Sequence, residues 1–161
     1  MILIDLDDTL ARTTELMAGD VSKVGDLKLI SGADVFVERF GKACVLVTVG
    51  IAELQWKKLE VLGIAHSFKE IHILDSFQAK RDAFSSLIKG TSPRNHWVIG
   101  DRLDAEIRAG KSLDIPTIRM RIKGGKYFHT VPHYSIDTPT HTFGSFEEVI
   151  QFLDAEAEGN K

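Results

Sequence analysis

The residues of this chain that could do chemistry are acids placed where apolar runs stop. Met1-Ile-Leu-Ile is followed at once by Asp5, Asp7 and Asp8. Carboxylates this close repel one another, and burying them unpaired is costly, so the cluster asks for a cation, a shared proton or free water. A solvated acidic turn is the plain alternative. A second acidic group, Asp101, Asp104 and Glu106, follows the run Trp97-Val98-Ile99. Acids in a first helical turn complement the helix dipole or cap it, so this group alone does not demand a function. Thr48 closes the apolar run from Ala43 to Val49 and could be an ordinary strand-end threonine. Lys80 shares a helical face with Ala83, Phe84 and Leu87, in a first turn where a positive charge is unfavourably placed. Either its stem covers apolar surface while its head snorkels to water, or anions hold it inside.

The elements that position these residues alternate in type along the chain. Met1–Ile4, Ala43–Val49, Ile71–Leu74 and Trp97–Ile99 read as buried strands. Ile115–Ile122 alternates and predicts a strand with one wetter face, and His141–Phe143 predicts an edge strand. Ala11–Leu29 is mixed and polar and reads as a loop or flap with one short helix. Ala33, Phe36, Val37 and Phe40 define a helical face behind a Ser31/Asp34 capping pair, with Gly41 as its stop. Further helices are predicted over Ile51–Leu62, with Ala52, Trp56, Leu59 and Leu62 facing inward, and over Gln78–Lys89 and Leu103–Lys111. Lys123–Pro139 is a long loop. Ser145-Phe-Glu-Glu148 is a capping box ahead of Phe146, Val149, Ile150 and Leu153, and the tail Ala155–Lys161 is expected to fray. The pattern predicts an α/β fold: a doubly wound, mainly parallel, Rossmann-like sheet with helices on both faces. Asp5, Thr48 and Asp101 then meet at the C-terminal edge, where such sheets bind ligands.

Length and charge narrow the classes. The 161 residues fit one domain, 1–161, and the net charge of -3 implies neither nucleic acid nor an anionic membrane as partner. The single cysteine, Cys44, lies in an apolar run and reads as a buried, inert thiol. Without a signal peptide or a membrane-length apolar segment, the expected location is cytoplasmic.

Taken in order, Asp5-Leu-Asp7-Asp8-Thr9-Leu10, Thr48, Lys80 and Gly100-Asp101 through Glu106 resemble the four motifs of the haloacid dehalogenase (HAD) superfamily phosphatases. The resemblance spans the chain up to the Lys123–Tyr127 loop. It implies that Asp5 attacks a phosphoryl group to form an aspartyl phosphate and that Asp7 serves as general acid and base. It further implies a Mg²⁺ ion bound by Asp5, the backbone carbonyl of Asp7 and Asp101, with Asp104 or Glu106 in support. Thr48 would donate to a phosphoryl oxygen, and Lys80 would stabilise the charge on Asp5 and the phosphoryl group. Asp8 is left without a role beyond that of a loop or cap residue.

The chain departs from the pattern in places. Glu106 stands where a second aspartate is usual, Val49 follows Thr48 where a polar residue is common, and Arg102 replaces a small residue. That arginine would reach either an anionic substrate or a surface salt bridge. Neither Ala11–Leu29 nor Gly50–Gln78 is long enough for an inserted cap domain, which needs about 40 residues. A capless member with an open site would suit a phosphorylated macromolecule, or a lid from a neighbouring subunit in a homo-oligomer. A dehalogenase is disfavoured, since that chemistry needs neither Asp7 nor a metal. A phosphotransfer receiver carries its acceptor on a middle strand, and a non-catalytic or regulatory phosphate-binding protein would not need the full residue set. His129, His133 and His141 fall near one another in sequence, but Pro132 prevents a helical metal-binding pair.

Overall fold

The computed structural model describes residues 1–159. Strand β1 (Ile2–Ile4) leads through a short helix α1 (Thr13–Met17) and a 3-10 segment (Val21–Asp26) to α2 (Ala33–Phe40). There follow β2 (Cys44–Val49), α3 (Ala52–Leu62), β3 (Glu70–Leu74), α4 (Ala79–Leu87) and β4 (Trp97–Gly100). A π-helical turn (Leu103–Ile107) opens onto α5 (Arg108–Lys111), then come β5 (Thr117–Met120), β6 (His141–Phe143) and α6 (Phe146–Gly159). The strands of the described residues form one parallel sheet in the order β3-β2-β1-β4-β5-β6. The α/β, doubly wound arrangement read from the alternating pattern is therefore the one present.

Period-two alternation sends side chains to opposite faces of the sheet. Ile2, Ile4, Cys44 and Leu46 pack with Phe36 of α2 and Phe146 and Val149 of α6. Leu3, Val45 and Val47 pack with Phe84 of α4 and Ala109 of α5 on the other side. Because β1 is flanked by β2 on one side and β4 on the other, the chain reverses its winding between β1 and β4, and a crevice opens beyond their C-terminal ends. The two places where an inserted domain would stand are filled by α1 with its 3-10 segment and by α3.

Several local expectations are corrected. Ser31 does not cap α2: Gly32 takes that position, and the Ser31 hydroxyl donates to Glu147 of α6. Gly41 does end α2 as read, although in right-handed backbone, and its missing Cβ leaves room for the Ser67 carbonyl. β5 has no wet face, since Thr117 and Arg119 are both buried. The Lys123–Pro139 loop covers it, and Arg119 Nη2 donates to the Tyr127 carbonyl at 2.7 Å. Trp56 points outward on α3, and its buried positions are Gln55, Lys58 and Leu59. The capping box at Ser145 does form, with Ser145 N–H donating to Glu148 and Glu148 N–H to the Ser145 hydroxyl. Helix α6 runs on to Gly159, so Ala155–Gly159 is helical rather than frayed, while Asn160 and Lys161 lie outside the described residues. Among the described residues no helix is long and apolar enough to cross a membrane.

Candidate active site

Asp5 stands one residue past β1, its backbone N–H tied to the Ile99 carbonyl of β4 at 3.0 Å. Asp101 stands one residue past β4, and both carboxylates line a cavity of about 200 Å³. Thr48, near the end of β2, lines the same cavity, with Asp7, Glu106, Lys126 and Tyr127. Lys80 reaches in from the first turn of α4, fully buried, and donates to Asp5 Oδ1 at 2.6 Å and to Glu106 Oε1. Anions hold it, and the snorkelling alternative is excluded.

The electrostatics follow from burial. Burial drives the Asp5 carboxyl up, to about 7, against the pull of Lys80, while Glu106 and Asp7 push it further. Asp101 is raised well above the carboxylate range by burial first, then by Glu106, Asp5 and Asp8. Burial alone would lower Lys80, but Asp5 and Glu106 overturn that and hold it above its ordinary value. Three carboxyl groups, Asp5, Asp101 and Glu106, thus crowd around one ammonium, and a divalent cation among them would favour the ionised forms of Asp5 and Asp101 that burial opposes. Among the described residues no three His, Cys, Asp or Glu side chains form a ready-made metal cage. Two carboxylates plus the Asp7 carbonyl and water would be an all-oxygen set of the kind Mg²⁺ takes. The late histidines form no such site either: His141 stacks on Phe143 and packs against Trp97 and Phe152, and His129 sits edge-on to Phe128.

The structure separates Asp104 from Glu106. The Ile107 N–H reaches back five residues to the Arg102 carbonyl, and this wider turn brings Glu106 inward. Glu106 Oε2 accepts from the Arg102 N–H at 3.1 Å while Oε1 accepts from Lys80. Asp104 is not brought to the cavity. It grips the Arg102 guanidinium with both oxygens, at 2.6 and 3.0 Å, and those bonds hold its carboxyl below the usual range. Arg102 itself lies 4.0 Å from the Phe77 ring centroid and 5.1 Å from that of Tyr127, so it makes its salt bridge at the cavity mouth.

Asp8 has a role the spacing did not reveal. Its left-handed backbone (φ 53°) turns its carboxylate onto the Thr14 N–H and hydroxyl and the Lys126 N–H, joining the start of α1 to the late loop. Asp7 is held from the other side. Oδ1 accepts from Lys58 Nζ at 2.7 Å and from the Thr13 hydroxyl at 2.6 Å, and Oδ2 accepts from Gln55 Nε2 at 3.0 Å. Gln55 also donates to Thr48 Oγ1 at 2.6 Å.

Comparison with known proteins agrees with this fold. No family model matches the chain. The glyceraldehyde 3-phosphate phosphatase of Methanopyrus kandleri is 35% identical over 98 residues, which is 58% of this chain and 41% of that protein. The match therefore spans about two fifths of the relative's length. A HAD family hydrolase of Deinococcus radiodurans, solved with bound phosphate and sodium, superposes with a TM-score of 0.74 at 16% identity, covering 98% of this chain and 95% of that one. YfnB of Bacillus subtilis, a HAD-hydrolase solved with magnesium, superposes with a TM-score of 0.70 at 16% identity, covering 94% and 97%. The chain has the fold of these HAD hydrolases. Sequence reasoning located Asp5, Asp7, Thr48, Asp101 and Glu106 at the cavity, with Lys80 bonded to Asp5 behind it, and missed Gln55 and Lys58. The signal for that pair was weak but present: they lie with Leu59 and Leu62 at helical spacing.

Proposed function

We propose that the chain is a Mg²⁺-dependent phosphatase that hydrolyses a phosphomonoester through an aspartyl phosphate on Asp5. The observation that carries this reading is the crevice itself: Asp5 and Asp101 face each other across β1 and β4, with Lys80 bonded to Asp5 and Asp7 held beside them. Asp5, the Asp7 carbonyl and Asp101 would hold the ion, which would neutralise charge on the phosphoryl group and the nucleophile. With Oδ1 occupied by Lys80, Oδ2 of Asp5 is the attacking oxygen. Lys80 favours the ionised form of Asp5 against burial and faces the charge that builds on the phosphoryl oxygens. Glu106 supports the site by fixing Lys80. The Thr48 hydroxyl donates to a phosphoryl oxygen. Asp7 gives a proton to the leaving oxygen and later takes one from water.

The phosphatase name of the Methanopyrus relative and the phosphate and magnesium bound by the two HAD structures support this reading. The chain works as a single domain, 1–161, in the cytoplasm, on a phosphorylated molecule, and a homo-oligomer could supply a lid. The test is phosphate release from p-nitrophenyl phosphate with Mg²⁺ and with chelator, for the wild type and Asp5→Asn. Activity that survives Asp5→Asn or ignores the chelator refutes the mechanism. Phosphate binding without release would make the chain a phosphate-binding protein instead. A panel of phosphorylated metabolites, proteins and nucleic-acid ends then identifies the substrate.

A further inference from the structure

Gln55 and Lys58 are buried, polar and unused by the reaction steps above. They stand three residues apart on α3, so both leave the same helical face. Each takes one oxygen of Asp7: Lys58 Nζ donates to Oδ1 at 2.7 Å and Gln55 Nε2 to Oδ2 at 3.0 Å. The Lys58 side chain is 6% exposed and that of Asp7 is 30% exposed, and Asp7 lines the cavity with Lys58 behind it. Lys58 therefore acts on the reaction through Asp7 and not on the substrate.

Stability does not account for this lysine. Burying an ion pair carries a desolvation penalty that well-packed apolar side chains avoid. The same helix also offers a wet face, where Lys57 pairs with Glu60 in solvent. Gln55 is equally specific. Its N–H groups serve Asp7 and Thr48 together, at 3.0 and 2.6 Å, with the Val49 carbonyl at 3.3 Å. Because Thr48 Oγ1 accepts from Gln55, its own hydrogen is left to donate into the cavity.

We infer that Lys58 and Gln55 are positioning residues that clamp Asp7 in the orientation from which it activates water; this rests on the phosphatase reading. The clamp fixes both Asp7 oxygens, with Lys58 and the Thr13 hydroxyl donating to Oδ1 and Gln55 to Oδ2. A free carboxylate is what the second half of the reaction needs. There the water proton passes to Asp7 and the water oxygen bonds to phosphorus. The phosphorus–oxygen bond to Asp5 breaks, and its electron pair returns to the Asp5 carboxylate.

Rapid-mixing hydrolysis of p-nitrophenyl phosphate separates the two halves, because p-nitrophenolate leaves with little need of a proton. In Lys58→Met the aspartyl phosphate still forms but breaks down slowly. The expected kcat is lower by about 100-fold, the scale of a misplaced general base. kcat/KM, which ends with loss of the leaving group, changes by less than about threefold. A burst of p-nitrophenol equal to the enzyme precedes the slow phase. Lys58→Arg restores most of kcat. Lys58→Gln, which keeps a donor without the charge, shows the same split at about tenfold and serves if Lys58→Met does not fold. A merely structural lysine lowers kcat and kcat/KM together, through the folded fraction, without a burst. That result, or an unchanged kcat, overturns the clamp while leaving the phosphatase reading intact. A wild type that releases no phosphate overturns both.

Discussion

Removing the Lys80 ammonium is the sharpest perturbation of this site. In Lys80→Met an unbranched side chain of similar length fills the space, and the two carboxylates that shared the cation stay buried, Asp5 at 7% and Glu106 at 1% exposure. Each lost charged hydrogen bond is worth about 1.5–3 kcal/mol. Breaking a buried pair by deleting one partner costs about 3–5 kcal/mol, and we expect that loss at pH 8 in chelator. For a chain of this size, at about 2–4 °C per kcal/mol, the melting temperature falls by roughly 6–20 °C. The loss should shrink at pH 5. Asp5 already titrates near 7 with Lys80 beside it, and without that lowering influence it takes a proton more readily, which removes the unpaired charge. Urea unfolding followed by circular dichroism at both pH values measures the two losses. A loss below about 1 kcal/mol at pH 8, or an equal loss at pH 5, would show that the lysine contributes through its methylenes and not its charge.

Three further outcomes are expected. The Asp5 carboxyl is raised in the folded protein, so its stabilising contribution is complete at low pH and lost as pH rises through about 7. Without metal, the wild type should therefore lose stability relative to Asp5→Asn between about pH 5 and pH 8, and Mg²⁺ at 100 times its dissociation constant should restore about 2.7 kcal/mol to the wild type alone. A rising difference curve would contradict this. Gly100→Ala would place a Cβ 2.6 Å from that of Glu106, and also against its Cγ, displacing the carboxylate that holds Lys80. It should cost about 1–3 kcal/mol and most of the turnover, so a fully active and stable variant would show that Glu106 can shift freely. Burial pushes the Cys44 thiol up to about 12, so a chromogenic disulfide should react with it only on unfolding, and immediate reaction of the native protein would contradict its placement.

Some of this site could be read without a structure because it is local. An apolar run that stops on Asp5, another that stops at Thr48 and a third that stops at Gly100-Asp101 each announce a strand end. Strands alternating with helices dictate a parallel sheet, and a parallel sheet gathers those ends on one edge. Lys80 was legible for the same reason: a charge on an apolar stripe contradicts its neighbours within two helical turns. The Ser145 capping box, also local, formed as read.

Tertiary structure decided the rest. The inward face of α3 is set by a partner 51 residues away, Asp7, and counting apolar side chains favoured Trp56 over the buried Gln55 and Lys58. The sides of β5 are both covered because the late loop returns over Arg119, which no alternation within the strand can announce. Asp104 and Glu106 were equivalent as acids near a helix start, and a single widened turn separated them, sending one to Arg102 and the other to Lys80. Patterning by period records which side of an element prefers the interior, and so it yields elements and their ends. Which buried charge meets which is settled by packing between segments far apart in sequence, where one ion pair outweighs the preference of a helix face.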